Sequence, residues 1–445
     1  MAVTGTAPPA TFGDPLPEAA DVAVIGAGIA GTAAAWFLAR AGVSVLLCEK
    51  GRVAAEQSSR NWGWVRQQGR DAAELPIMME SNRIWRGLAA ETGEPGLAFT
   101  PAGCVYVAPD RQRLAVFERW CEIARRHQLD TRMLTRKQVG ELLPGIAGDR
   151  CGGLLTPSDG RSEPRLAVPA LARAAQRLGA AVVENCAVRT LDIEAGRLAG
   201  IVTERGRVRC GSVVLAGGAW SGLFAGNAGI AMPQLLVRAT AVRTGPAPAA
   251  VGPNVSLNGV ALRRRDDGGY TVGTGFAEHF VGPPSFRHLG RFRRLVRQSA
   301  REIRLLPAAP RGYPGAWATA QRWNADEETP FERVRVLDPA PARAAVRRIR
   351  ERLSRQVPAL EKIGFSEAWA GMIDVTPDAV PILGEADAIP GLLIATGFSG
   401  HGFGIGPAVG RIAADLVRGR PPGHDLGRFR LQRFFDGSAI VPGPY

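Results

Sequence analysis

The stretch Asp21-Val-Ala-Val-Ile-Gly26-Ala-Gly28-Ile-Ala-Gly31 decides the fold. Val22 to Ile25 is short and wholly apolar, as a strand buried on both faces of a parallel sheet requires. The glycines follow at once, and Thr32 to Ala41 is rich in alanine and other good helix formers. A second apolar run, Val43 to Cys48, ends on Glu49. Strand, glycine turn, helix, strand and an acid about twenty positions beyond the glycines make a complete dinucleotide-binding βαβ unit. Gly26 permits the tight turn, Gly28 lets a pyrophosphate approach the backbone, and Gly31 lets helix and strand pack closely. The helix N-terminus, with Ile29 and Ala30, offers N–H groups and a positive dipole end to the phosphates. Glu49 can accept hydrogen bonds from ribose hydroxyls, and its charge repels a 2′-phosphate, which disfavours NADP. Lys50 beside it joins the candidate contacts.

This fingerprint alone does not separate FAD from NAD. Two later segments do. The first is Ala181 to Val188 and, after a hairpin-like stretch, Ser212-Val-Val-Leu-Ala-Gly-Gly-Ala-Trp-Ser221. It contributes Val188, Gly217 and Trp220. The second is Gly391-Leu-Leu-Ile-Ala-Thr-Gly-Phe-Ser-Gly-His-Gly-Phe-Gly-Ile-Gly-Pro407, followed by a helical run to Val417. A buried strand, a glycine-dense turn and a new helix can aim another helix dipole at a ligand. A reduced flavin, negative around N1 and the C2 carbonyl, needs such a dipole. The glycine density exceeds what a turn alone requires, so Gly397, Phe398, Ser399, Gly400, His401 and Gly402 are expected at the cofactor.

These segments, with Ser58-Ser59-Arg60-Asn61 and Asp374-Val-Thr-Pro-Asp378, resemble in order and spacing the D-amino acid oxidase/dehydrogenase superfamily. That group includes glycine oxidase, sarcosine oxidase and D-amino acid dehydrogenase. The resemblance implies an α/β fold whose Rossmann-like FAD-binding domain is assembled from separated segments, 21–90, 151–232 and 365–434. A second, α+β substrate domain on a mixed sheet would take 91–150 and 233–364. Residues 1–20 read as a disordered leader, without the basic start and apolar core of a signal peptide.

The resemblance also implies a reaction: oxidation of the C–N bond of a small amino acid, a D-amino acid or an N-methyl amino acid, by hydride transfer to flavin N5. The imine so formed hydrolyses in water. A neutral substrate amine suffices, so no general base is demanded. In relatives the segment Arg60-Asn-Trp-Gly-Trp-Val-Arg66 lies along the flavin, which makes Arg60, Asn61 and Trp62 candidate cofactor contacts. Arg66 is a candidate for a bidentate pair with a substrate carboxylate. His279, after a substrate-domain strand, and Arg322, in a loop of that domain, are further candidates at the substrate.

Departures from the pattern matter. Where glycine and D-amino acid oxidases carry a carboxylate-binding arginine, this chain reads Trp369-Ala-Gly-Met-Ile-Asp374. No cysteine follows Cys210 and no histidine lies near Trp62, so the flavin links of relatives have no counterpart and FAD is expected to be non-covalent. Thr271-Val-Gly273 lacks the oxygen-activating lysine of sarcosine oxidase, which leans toward an electron acceptor other than oxygen. The same chemistry on a polyamine-derived amine, a role as flavin subunit of a multi-chain amino-acid or opine dehydrogenase, and a vestigial scaffold all stay open.

Bulk composition narrows the field. The net charge of +14 comes almost wholly from arginine, since Lys50, Lys137 and Lys362 are the only lysines. The arginines spread along all 445 residues without alternating with aromatics, so a nucleic-acid groove is excluded and anionic small ligands are favoured. The six scattered cysteines fit buried thiols of a cytoplasmic protein. Val22 to Ala39 is uncharged, but its glycine pattern argues against a transmembrane helix. Val260 to Arg265 and Gly269 to Gly273 read as a hairpin, and Arg291 to Leu305 and Arg343 to Leu353 as basic amphipathic helices.

Overall fold

A computed structural model describes residues 11–443. Val22–Ile25 pairs in parallel with Val45–Cys48 on one side and with Ser212–Leu215 on the other. Ala181–Val183 and Leu392–Thr396 extend this sheet in parallel, and Ile382–Glu385 closes it antiparallel. The helix Ile29–Arg40 lies between the sheet and two further helices, Pro164–Arg177 and Gly402–Val417. Small residues such as Ala33 and Ala34 let the helix Gly402–Val417 approach it closely at Gly410, and Ile29–Arg40 is buried nearly all round. An antiparallel meander, Val188–Glu194, Arg197–Thr203 and Gly206–Arg209, replaces a helix in the crossover from Ala181–Val183 to Ser212–Leu215.

The second sheet is mixed and nine-stranded. Next to one edge runs the long strand Leu235–Thr244, antiparallel to the edge strand Phe365–Val375 on one side and to Tyr270–Phe280 on the other. The expected hairpin is present, with Arg264 opposite Tyr270. Val242, Leu262 and Val272 point to a core completed by Ile349 and Leu353 of the helix Arg343–Gln356.

Three expectations need correction. Gly152–Thr156 and Phe365–Val375, placed by sequence in the first domain, pair in the second sheet. The helix expected over 291–305 runs from Leu289 to Ser299, and Ile303–Leu306 instead forms a strand parallel to Ala277–Phe280. The disordered leader was set too long. Residues 1–10 lie outside the described part, but Phe12 is buried and Gly13 and Ala19 bridge to Val183 and Arg209. Asp14 accepts from Val182 N–H at 2.8 Å. Among the described residues no helix is long and apolar enough to cross a membrane. Five of the six cysteines are buried and Cys151 is exposed.

Candidate functional site

At the carboxyl ends of the parallel strands a cleft with about 1190 Å³ of unfilled space runs from Glu49 to Phe403. This is the crevice in which open α/β sheets bind ligands. Of the cofactor candidates named from sequence, Gly26, Gly28, Ile29, Ala30, Glu49, Lys50, Asn61, Val188, Gly217, Trp220, Phe398, Gly400 and Gly402 line it. Gly26 turns with φ +100°, which a side chain would strain. A Cβ on Gly28 would stand 3.0 Å from Ser58 Oγ, so the backbone there is bare toward the cleft. Ser58 Oγ itself accepts from Ile29 N–H at 2.9 Å and holds the helix N-terminus in place.

Glu49 is fixed by its own backbone surroundings. Its two carboxylate oxygens accept from Ala27 N–H (2.9 Å) and Gly51 N–H (2.8 Å). Burial pushes its carboxyl above the usual range, opposed by Lys50 and these two N–H groups. Lys50 is already committed: its Nζ donates to Val334 and Arg335 carbonyls (2.9 Å each) and to Glu56 (2.7 Å), 4.4 Å from the Trp220 ring centre. Trp220 Nε1 donates to the same Glu56 at 3.0 Å, so Lys50 and Trp220 form one wall.

At the far end, Asp374 ties two segments together. Its carboxylate accepts from Gly397 N–H (2.7 Å) and Thr396 Oγ1 (3.2 Å), and burial raises its carboxyl to about 6. The C-terminal turn therefore takes its shape from the long strand Phe365–Val375.

Several predicted contacts sit behind this wall. Gly31 lies against Gly26 O, where a Cβ would be 2.0 Å away. Gly397 is held by Asp374, Ser399 N–H donates to the Asp374 carbonyl (2.9 Å), and His401 faces Glu74 at 3.6 Å. Arg60 clamps the chain: it donates to the Ala55 carbonyl (2.9 and 3.1 Å), to the Ala370 carbonyl (3.0 Å) and to Asp338 (2.8 Å). Trp62 packs on Trp64 and over Gly273. None of these six lines the cleft.

The three substrate candidates are not brought together. Arg66 is half-buried, donates to the Gln68 carbonyl and lies 5.7 Å from the Tyr106 ring centre. Its turn is pinned by buried Asp159, which accepts from Gln67 N–H (2.7 Å) and Gln68 N–H (3.1 Å). His279 spends both ring nitrogens, on the Leu236 carbonyl (2.8 Å) and Ser285 Oγ (2.9 Å), in a separate cavity. Arg322 is exposed and donates to the Asn227 carbonyl at 2.8 Å. Sequence reasoning left Ser58, Glu56, Met372 and Asp374 unassigned, though all line the cleft. For Ser58 and Asp374 the signal was the very motif segments that carried the resemblance.

Such a crevice, bare of side chains at its phosphate end and closed by an acid on the second strand, defines a nucleotide-dependent protein of the doubly wound class. The family model described as FAD dependent oxidoreductase matches residues 21–416, and the chain belongs to that family. Mitochondrial sarcosine dehydrogenase of Homo sapiens is 27% identical over 435 residues, covering 93% of this chain and 42% of that protein. The chain thus spans about two fifths of that relative's length. D-amino acid dehydrogenase of Paramagnetospirillum magneticum is 28% identical over 474 residues, covering 93% of this chain and 98% of that protein. Among solved structures, L-amino acid deaminase from Proteus myxofaciens in complex with anthranilate superposes with a TM-score of 0.90 at 30% identity, covering 96% of both chains.

The cleft fits FAD. Its bare glycine end suits a pyrophosphate, Glu49 retains lone pairs for ribose hydroxyls, and the cleft continues past Asn61 to Met372 and Phe403, beyond what the first βαβ unit alone spans.

Proposed function

We propose that this chain, holding FAD non-covalently in the cleft, oxidises the C–N bond of an amino acid. The observation that carries the reading is the continuity of one cleft from Glu49 to Phe403, walled by all three separated segments. Bound FAD supplies the hydride acceptor at N5, and the imine that leaves is hydrolysed by water. The chain's own work is binding and orientation. Gly26, Gly28 and the N-terminus of Ile29–Arg40 hold the phosphates, and Glu49 takes the ribose. Arg66, on a turn fixed by Asp159 but not itself among the residues that line the cleft, is our candidate partner of the substrate carboxylate, by charge and two parallel hydrogen bonds. Loss of the amine proton to water before hydride transfer removes the need for a basic side chain.

The relatives named above are called after sarcosine, D-amino acids and L-amino acids, which supports an amino acid without choosing its hand. The absence of cysteine from 369–374 supports non-covalent FAD, and the absence of lysine from 271–273 supports an acceptor other than oxygen.

The test is a visible spectrum of the purified protein, repeated anaerobically with pools of D-, L- and N-methyl amino acids and of polyamines. A yellow protein bleached by one amino-acid pool, with all its flavin released on acid precipitation, is the expected result. Slow recolouring in air would match the acceptor assignment. Bleaching by polyamines alone, or a colourless protein that FAD cannot reconstitute, would overturn the reading. Arg66→Lys should raise KM for the bleaching substrate by about tenfold or more, the loss of one bidentate pair, with the flavin spectrum unchanged.

A further inference from the structure

The segment Pro283 to Arg301 contains Arg287, Arg291, Arg293, Arg294, Arg297 and Arg301, and no carboxylate until Glu302. It folds as a short helix, Pro283–Arg287, running through His288 into the helix Leu289–Ser299. Phe292 is buried and anchors the longer helix to the body. Arg291 and Arg294 spend bonds on the carbonyls of Phe434 and Ile440 (3.0 Å each), and among the described residues none of the six arginines meets a carboxylate. Among the described residues no carboxylate therefore compensates their charge.

Large apolar side chains stand among these charges. Phe286, Leu289 and Trp317 are each more than 60% exposed, and Val296 is 43% exposed. Leu289, Arg293 and Val296 follow one stripe of the helix by their spacing. The Phe286 and Trp317 rings lie 6.0 Å apart, so the loop carrying Trp317 joins the same surface. Phe286 and Trp317 thus make one exposed aromatic patch beside Leu289 and Val296, and it is their clustering that calls for a partner.

We propose that this helix pair and the Trp317 loop dock on an anionic lipid bilayer. Arginine meets the phosphate headgroups, while Phe286, Leu289, Val296 and Trp317 enter the boundary with the acyl chains. The exposed apolar groups alternate with arginines along the segment, which suits a charged, fluid interface better than the close-packed core of a protein–protein contact. The surface also has a neighbour that gives docking a purpose. Pro284, Ser285, Arg287 and His288 help to wall a second cavity of about 660 Å³ of unfilled space, lined by Leu236, Phe280 and Tyr313. Ala219 and Met372 line both this cavity and the cofactor cleft. Docking sets the cavity's wall against lipid.

The test is co-sedimentation of the full, FAD-loaded chain with vesicles of phosphatidylcholine, alone or mixed with phosphatidylglycerol. The protein should pellet with the mixed vesicles only, and less as salt is added. Arg293→Glu with Arg297→Glu, and separately Phe286→Ser with Leu289→Ser and Trp317→Ser, should each lower the bound fraction at least about fivefold. Both variants should keep the visible spectrum and Tm of the parent. A parent that pellets with neither vesicle overturns the proposal and leaves an acidic protein as the partner of the arginines. Equal pelleting with both vesicles overturns the role of the arginines, and parent-like binding by the apolar variant overturns insertion.

Discussion

The two glycine-rich segments of this chain look alike in sequence and do different work. In the first, Gly28 faces the cleft and meets only Ser58 Oγ. In the second, the glycines of the helix Gly402–Val417 mostly face protein. A Cβ on Gly410 would come 2.4 Å from Ala33 Cβ, and one on Gly406 would come 2.6 Å from Ile29. Much of the C-terminal glycine density is therefore spent on letting that helix lie against Ile29–Arg40, and only Gly400 and Gly402 of the second segment's glycines line the cleft. Glycine density near a cofactor motif mixes two signals: backbone bared for a ligand, and backbone bared for another backbone.

Gly31 should give the largest effect, because it belongs to the second kind inside the first segment. A methyl there would sit 2.0 Å from Gly26 O, a backbone atom that cannot rotate away. Gly31→Ala should cost about 3 kcal/mol or more and leave little folded, yellow protein, read by chemical denaturation and flavin content. A variant of normal stability would mean that the turn at Gly26 is looser than its geometry implies.

Gly28→Ala separates the two functions. The added methyl meets only a serine hydroxyl at 3.0 Å, so the Tm of the FAD-free protein should stay within about 2 °C of the parent. The methyl does occupy the place where a pyrophosphate approaches. FAD affinity should fall about 100-fold, close to 2.7 kcal/mol, in a fluorescence titration. Equal losses in Tm and affinity would break the distinction between the segments.

Gly410→Ala should show the converse. Its methyl pushes Gly402–Val417 away from Ile29–Arg40 at a buried crossing, at a cost of about 1–3 kcal/mol. FAD affinity of the folded fraction should change less than about threefold, since Gly410 does not touch the cleft.

How much could be read beforehand follows the same division between local and tertiary. The first βαβ unit was legible because strand, turn, helix and acid are set by neighbours in sequence, and its Glu49 lines the cleft together with Val188 and Trp220. Arg60 was misread because its partners, Asp338 and Ala370, lie about 300 positions away and nothing local announces them. The strands Gly152–Thr156 and Phe365–Val375 joined the second sheet for a similar reason: both are apolar enough for either, and pairing with Cys104–Ala108 and Leu235–Thr244 decides. Phe12, counted by sequence in the leader, lies in the core, and nothing in its polar neighbours announces that. His279 was a candidate because it follows a substrate-domain strand, yet a carbonyl and a hydroxyl occupy both its nitrogens.

The smallest expected effect concerns pH and the wall behind the second segment. Glu74 precedes the helix Leu75–Thr92, which packs on Gly402–Val417, and its carboxylate lies 3.6 Å from His401. Burial pushes the Glu74 carboxyl up to about 7, although Arg70 and Arg66 pull it down. The unfolded chain releases this proton near the ordinary glutamate value of about 4.3, whereas the folded protein keeps it. Between these values the unfolded state binds fewer protons, so the term stabilises the fold below about pH 4 and is lost as pH rises toward 7. Asp159 and Asp374, each raised to about 6, slope the same way and overlap this window. The difference between parent and variant is therefore the readout. Glu74→Gln, which keeps the shape of the protonated acid, should remove up to about one proton from the slope of stability against pH in urea titrations between pH 5 and 7. Above pH 7 the variant should be the more stable of the two, by about 4 kcal/mol at most. FAD affinity should hold, since Glu74 does not line the cleft. If the slopes coincide, the carboxylate is already ionised at pH 5, held by Arg70 and Arg66. The second glycine segment would then rest on a buried ion cluster as well as on helix packing, which would widen its difference from the first.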